Sequence, residues 1–144
     1  MSVEKIKKEI NVFKLKDIHR NFQLGTIEVK VLKGINLDVK RGEFVVITGE
    51  SGSGKSTLMN LLGMLDVASS GSLEFDAEDV TSLSDDELSD IRGKKIGFIF
   101  QQFHLLGTLN ALENVALPLL FQGVSEEERL AKAAKVLKKV GLSD

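Results

Sequence analysis

The chain has 144 residues, of which 42% are hydrophobic and 28% charged, as is typical of a globular domain and not of a disordered or fibrous chain. Its 19 basic and 21 acidic residues give a net charge of −2, which offers no general basic surface to nucleic acid or an anionic membrane. Cysteine is absent, which excludes disulfides, thiolate metal sites and cysteine nucleophiles.

Two features of the sequence argue against direct membrane insertion. The longest apolar run, 115–121, has seven residues and contains Pro118, whereas a transmembrane helix needs roughly 20 residues. The first ten residues are charged and no apolar segment follows them, so they do not indicate a secretion signal. We therefore expect neither nucleic-acid binding nor direct membrane insertion.

The first predicted elements are strands. Residues 12–18 and 35–40 alternate apolar with polar side chains, which predicts two half-buried strands of an antiparallel layer. Residues 44–48 are apolar almost without interruption, as in a strand that is covered on both faces. The sequence therefore predicts an antiparallel layer followed by part of a parallel core sheet.

A helix, a short strand and a second helix are predicted next. Four leucines with the spacing i, i+3, i+4 and i+7 predict an amphipathic helix from Lys55; they are Leu58, Leu61, Leu62 and Leu65. Residues 71–75 form the candidate strand. Ser84 and Glu87 have the spacing of a capping box, which predicts a helix to about Arg92.

The last third of the chain contains one further strand and two helices in the prediction. Residues 95–100 resemble a second buried strand, which ends at Gln101. Capping boxes open at Asn110 and at Ser125, and Pro118 should bend or end the first of these two helices. Gly141 suits the C′ position of the last helix. No repeat or linker marks a second domain.

A phosphate-binding loop lies between the predicted strand at 44–48 and the predicted helix that begins at Lys55. Residues 49–56 match G-x-x-x-x-G-K-[ST], and both flanking elements are those that this motif requires. Glycines let several backbone N–H groups turn towards a phosphate, Lys55 adds a charge for the β- and γ-phosphates, and the Ser56 hydroxyl can ligate Mg²⁺. The candidate nucleotide-binding residues are Gly49, Glu50, Ser51, Gly52, Ser53, Gly54, Lys55, Ser56 and Thr57.

The loop alone also suits a GTPase or a small-molecule kinase. Residues 90–93 match the D-x-x-G pattern of GTPases, but they fall inside the helix capped by Ser84, and the chain has no N-K-x-D guanine motif. His19 and His104 lack metal-ligand spacing to other residues, and we interpret both as surface residues.

Sequence around the second predicted strand favours one family. Residues 96–106 (IGFIFQQFHLL) and 110–115 (NALENV), with GEF at 42–44, LMNLLG at 58–63 and Leu65-Asp66, resemble the ATP-binding subunits of ATP-binding-cassette (ABC) transporters. The likeness extends over about residues 12–142 and is greatest to the lipoprotein-releasing and macrolide-export types. It implies an α/β P-loop NTPase fold with an N-terminal antiparallel β layer, part of the parallel core sheet and the start of a helical subdomain.

The resemblance also implies roles for individual residues. Gln101 would position the attacking water and contact Mg²⁺, although its neighbour Gln102 is an alternative. The family stacks adenine on an aromatic residue where this chain has Phe22, with Val31 a weaker candidate for the other side of the base. The implied cofactors are ATP and Mg²⁺, and Ser56 and Gln101 are the candidate metal ligands.

The implied partners are a transmembrane permease subunit and a second copy of the full-length ATPase, at the cytoplasmic face of the cell membrane. The family continues after Gly141 into an LSGGQ sequence and a Walker B strand, which these 144 residues do not contain. We therefore expect residues 1–144 to be the N-terminal part of one nucleotide-binding domain, with negligible hydrolysis and exposed apolar edges. A non-hydrolysing binding module and an inactive gene fragment are the alternatives.

Overall fold

The computed structural model describes residues 11–142, which form two compact units that divide between Ile96 and Gly97. The first unit contains strands β1 (Asn11–Leu24) and β2 (Ile27–Lys40), helix α1 (Lys55–Leu62), strands β3 (Ser70–Phe75) and β4 (Glu78–Asp79), and helix α2 (Asp85–Lys95). The second unit contains helices α3 (Ala111–Phe121) and α4 (Glu126–Lys139). Within the described range, no helix combines the length and the apolar character that crossing a membrane requires.

The strands of the first unit form one antiparallel sheet in the order β2-β1-β3-β4. The antiparallel layer predicted from the alternation at 12–18 and 35–40 is therefore confirmed, although both strands are longer. A two-residue turn joins β1 to β2 between the paired residues Leu24 and Ile27. Gly25 has φ +60°, which is the conformation that a type II′ hairpin turn requires at its first central residue.

Helix α1 supplies part of the core of the first unit. The predicted leucine stripe fails at Leu65, which lies beyond the end of α1 and is 50% exposed. It is confirmed for Leu58 and Leu61, which are 8% and 0% exposed. They belong to one cluster of buried side chains with Leu15, Ile18, Leu32, Met64, Leu73, Phe75, Val80, Leu88 and Ile91. This cluster fixes the helix that follows the glycine-rich loop against the sheet.

The two predicted buried strands are wrong at the level of local structure. Neither 44–48 nor 96–100 forms a strand, Phe44 is 91% exposed and Ile99 is fully exposed. A fully apolar strand is stable only between neighbours that pair with its edges and cover its faces. Residues 11–142 supply no strand that pairs with either segment. The α/β fold class is correct, but the described residues form no parallel core sheet.

Helix α2 begins with the capping box that the sequence predicts. The Ser84 hydroxyl accepts from the Glu87 amide, and the Glu87 carboxylate accepts from the Ser84 amide at 2.8 Å. The same carboxylate accepts from the Ser84 hydroxyl at 2.7 Å, and these two bonds hold the Glu87 pKa below its ordinary value. The D-x-x-G match at 90–93 lies inside α2, as expected of a coincidental match.

In the second unit, α3 and α4 pack on each other, with Ala116 and Ala133 each 1% exposed. The Asn110 capping box of α3 is confirmed, whereas Pro118 does not end this helix, which continues to Phe121. At α4 the Ser125 hydroxyl accepts from the Glu128 amide. Glu128 does not complete a capping box, and its carboxylate pairs with Lys132 at 2.7 Å instead.

Helix α4 ends as the sequence predicts. Gly141 has φ +80° and donates to the Lys138 carbonyl at 3.2 Å, while Leu142 donates to the Leu137 carbonyl at 3.0 Å. These are the two bonds of a Schellman motif, which satisfies carbonyls that have no partner inside the helix. The prediction of Gly141 as the C′ residue is confirmed.

The turn between β3 and β4 predicts a stabilising substitution. Its two central residues, Asp76 and Ala77, have φ +49° and +66°, as in a type I′ turn that favours glycine at the second position. We expect Ala77→Gly to raise the free energy of unfolding by about 0.5–1 kcal/mol, because relieved strain outweighs the greater freedom of the unfolded chain. Urea unfolding measures this change. The control Ala131→Gly, in helix α4, should have the opposite sign.

Candidate functional site

The glycine-rich loop has the backbone conformations that a phosphate cradle needs. Gly49, Gly52 and Gly54 have φ angles of +154°, +78° and +81°, a region that L side chains rarely adopt. Gly54 is the N-cap of α1 in the left-handed conformation, and no side chain caps this end. The first amides of a helix have no partner inside it, so those of α1 can bind an anion.

Lys55 draws the two sides of this loop together. Its Nζ donates to the carbonyl oxygens of Gly49 and Glu50, each at 3.1 Å. The Glu50 carbonyl also accepts from the Ser53 amide at 3.2 Å. An ammonium group has three donors, so these two contacts leave one for a further acceptor.

Strand β2 packs against the glycine-rich loop at Gly54. A Cβ atom on Gly54 would lie 3.0 Å from Val31 Cγ1 and 3.1 Å from the Val31 carbonyl oxygen. Val31 is the extra residue of a β-bulge, because Arg20 pairs with Leu32 and the next residue of β1 pairs with Lys30. The structure therefore places the predicted site residue Val31 directly against the loop.

The N-terminus of α1 has a partial positive charge that favours an anion. No acidic residue lies in the first turn of α1, so the partial positive charge of the helix terminus is not neutralised there. Ser56 is exposed, and its hydroxyl has no hydrogen-bond partner within residues 11–142. Thr57 is half-buried. The predicted residues from Gly49 to Thr57 thus form one surface around the start of α1.

Phe22 lies on β1, paired with Val29 of β2, and its side chain is 36% exposed. One feature beside it was not predicted. The Arg20 guanidinium lies over the ring, 4.6 Å from its centroid, and makes two hydrogen bonds to Asp66, which follows α1. The sequence offered one signal for this contact, since residues i and i+2 of a strand share a face.

Gln101 and Gln102 belong to the second unit, whereas the loop belongs to the first. Both glutamines are exposed in a bend, so burial does not distinguish them. His104 is exposed, as expected of a surface residue, and its ring centroid lies 5.0 Å from that of Phe100 in a T-shaped arrangement. His19 is half-buried, and its Nε2 lies 3.0 Å from the Asp17 carboxylate.

Sequence and structure comparisons agree on the family of this chain. A profile described as ABC transporter matches residues 32–144. The macrolide export ATP-binding/permease protein MacB of Mannheimia succiniciproducens is 50% identical over 92% of the chain and 21% of its own length. The ABC transporter ATP-binding protein YknY of Bacillus subtilis is 46% identical over 92% of the chain and 58% of its own length.

A solved dimeric structure of the ATP-binding cassette MJ0796, in a post-hydrolysis state with ADP and Pi, superimposes with a TM-score of 0.77 at 47% identity. This comparison covers 88% of the chain and 56% of the cassette. The chain thus spans about a fifth of the macrolide exporter and little more than half of each shorter relative. Because the profile matches more than half of its length, the chain belongs to the ABC transporter family.

Proposed function

We propose that these residues form the Mg-ATP-binding part of an ABC transporter ATP-binding subunit. The observation that supports this proposal best is the loop at 49–54, whose three positive-φ glycines open onto the start of α1 beside the Lys55 ammonium. The chain then corresponds to the N-terminal part of one nucleotide-binding domain. The alternative GTPase has no support, since its D-x-x-G match lies inside α2.

The phosphates would bind where the donors converge. The first amides of α1 point outward from its N-terminus, and Lys55 already lies within hydrogen-bond distance of two loop carbonyls. A phosphate that enters the loop would offer Lys55 charged acceptors in place of neutral ones, and charge-assisted bonds are about twice as strong. Before a nucleotide binds, the two hydrogen bonds from Lys55 to the loop carbonyls stabilise the conformation of the loop.

The Ser56 hydroxyl oxygen is a suitable ligand for Mg²⁺. This exposed hydroxyl, which has no protein partner within residues 11–142, follows Lys55 on the first turn of α1. A hard cation such as Mg²⁺ prefers oxygen ligands and usually binds through one or two protein groups together with phosphate oxygens. We propose Ser56 as the first protein ligand and Gln101 as the second. The bound ion would supply charge neutralisation of the phosphates.

Partners and location follow from the relatives and are proposals for this chain. The macrolide relative is named as an ATP-binding/permease protein, and the solved cassette is dimeric. We propose that the full-length subunit pairs with a second copy and with a transmembrane permease at the cytoplasmic face of the membrane. ATP hydrolysis is the family's activity, but the residues that complete it in the family are not among these 144, so we assign nucleotide binding to this chain and expect negligible turnover.

Binding of a fluorescent ATP analogue, with Mg²⁺ and with EDTA, tests this proposal. We expect Mg²⁺ to strengthen binding in the wild-type chain. Gln101→Ala should reduce that gain by about three- to tenfold, the effect of losing one hydrogen-bonding ligand. The neighbouring Gln102→Ala is the matched control and should leave it unchanged.

Two outcomes would contradict these assignments separately. A wild-type chain that binds no nucleotide under either condition would overturn the proposed function. A larger effect of Gln102→Ala than of Gln101→Ala would retain the function and move the metal-positioning role to Gln102.

A further inference from the structure

The Arg20 guanidinium is held between an acidic residue and an aromatic ring. Its Nε donates to Asp66 Oδ2 at 2.9 Å and its Nη2 donates to Asp66 Oδ1 at 2.6 Å. The two side chains are 21% and 19% exposed. A bidentate pair of this kind fixes the plane of the guanidinium as well as its position. The central carbon of the guanidinium lies over the Phe22 ring, 4.6 Å from its centroid.

The segment that contains Asp66 is itself attached to β1 beside this ring. The Ser69 amide donates to the His19 carbonyl at 2.8 Å, and the Asn21 amide donates to the Ser69 hydroxyl at 2.9 Å. Asp66 Oδ1 also accepts from the Val67 amide at 2.9 Å. The segment that follows the phosphate-loop helix is therefore connected to the strand on which Phe22 lies, and the Arg20–Asp66 pair adds a link between two side chains.

Arg20 occupies one face of Phe22 and leaves the ring partly exposed. Phe22 is 36% exposed, and among residues 11–142 no second aromatic ring or cation lies over its ring. A guanidinium on an aromatic face restricts the rotamer of the ring through cation–π attraction. Ordering the ring before the ligand arrives removes part of the entropy cost of binding.

We propose that Arg20 is a positioning residue for the nucleobase. Locked by Asp66, it orders the Phe22 ring so that one face remains for a single flat base, and it thereby sets the base-dependent part of nucleotide affinity. This inference depends on the proposed function, because it concerns the same nucleotide. It assigns to Arg20 and Asp66 a task separate from that of Lys55, which acts on the phosphates.

The test separates the base from the phosphates by comparing two ligands, Mg-ATP and Mg-tripolyphosphate, on the full chain. We expect Arg20→Leu to weaken ATP binding by about three- to tenfold, the range of one cation–π contact. Tripolyphosphate has no base, so its affinity should stay within about twofold of the wild-type value. Unchanged tripolyphosphate binding also shows that the variant still folds.

A double-mutant cycle with Phe22→Leu shows whether Arg20 acts through the ring. In the Phe22→Leu background, Arg20→Leu should have no further effect on ATP affinity, because the ring that it orders is gone. The matched control is Arg41→Leu, which removes the same charge and a similar ion pair, to Asp76 at 2.6 Å. We expect this control to leave both affinities unchanged.

Three results would overturn the inference. In the first, Arg20→Leu lowers the affinities for ATP and tripolyphosphate equally, as a structural defect would. In the second, its effect on ATP persists in the Phe22→Leu background. In the third, Arg20→Leu changes neither affinity, whereas Lys55→Ala weakens both. The inference about Arg20 then fails, and the proposed function stands. If Lys55→Ala also changes neither affinity, the proposed function fails with it.

Discussion

Replacing Lys55 with alanine should weaken ATP binding by a factor of about a hundred or more. Nζ of Lys55 lies within 3.1 Å of the Gly49 and Glu50 carbonyl oxygens, so its charge is already at the mouth of the loop. A hydrogen bond to a charged group is worth about 1.5–3 kcal/mol, and we expect the ammonium to make two of them to phosphate oxygens. Their loss corresponds to about 3 kcal/mol or more, which is at least a hundredfold in affinity.

Equilibrium titration of the full chain with a fluorescent ATP analogue and Mg²⁺ measures this loss. Lys94→Ala is the matched control, because it removes the same side chain from an exposed position of α2. Lys94 makes an exposed i,i+4 pair with Asp90 at 2.8 Å, and such a pair contributes a few tenths of a kcal/mol. If both variants bind ATP as the wild type does, the loop is not the nucleotide site.

The second large effect concerns stability and arises at Gly71. This residue has φ +97°, and a Cβ atom placed on it would meet the Asp17 carbonyl oxygen most closely and lie 2.7 Å from the Lys16 carbonyl oxygen. Those atoms belong to the backbone of a β-bulge in β1, where Asp17 itself has φ +49°. Backbone atoms on two paired strands cannot move apart without breaking the ladder between β1 and β3.

We therefore expect Gly71→Ala to lower the free energy of unfolding by about 2–5 kcal/mol, as a left-handed conformation and a steric overlap combine. Urea unfolding measures the loss. Gly25→Ala is the matched control, since Gly25 has φ +60° but no atom within 4 Å of the added Cβ. It should lose only the conformational part, about 1–2 kcal/mol. Equal losses in the two variants would show that the close approach at Gly71 has no energetic weight.

Local patterns predicted the elements that depend on local physics. The capping boxes at Ser84 and Asn110 are contacts within a few residues, and the alternation in β1 and β2 and the spacing of Leu58 and Leu61 in α1 follow from the regular geometry of strand and helix. The glycine-rich loop belongs with them, because its backbone needs glycine whatever surrounds it. These predictions are confirmed, and so is the α/β fold class.

Predictions that needed distant partners were less successful. The runs 44–48 and 96–100 are apolar enough for buried strands, yet neither pairs with a strand among the described residues. An apolar run indicates that a strand needs neighbouring strands and covered faces, but it does not show that the chain provides them. The capping box predicted at Ser125 is also incomplete: the Glu128 carboxylate does not accept from the Ser125 amide. It pairs instead with Lys132, one turn further along α4.

The sequence by itself determined the family and predicted the phosphate loop, since the candidate residues at 49–57 are a continuous stretch of nine residues. Only the tertiary structure placed Val31 against Gly54, joined Arg20 to Asp66, and set Gly71 against the bulge at Asp17. Those contacts join residues 23 to 54 positions apart or depend on a shift in strand register, as the numbering of each pair shows. A periodic pattern reports which face a residue occupies, whereas the partner on that face is chosen when the strands and helix pack together.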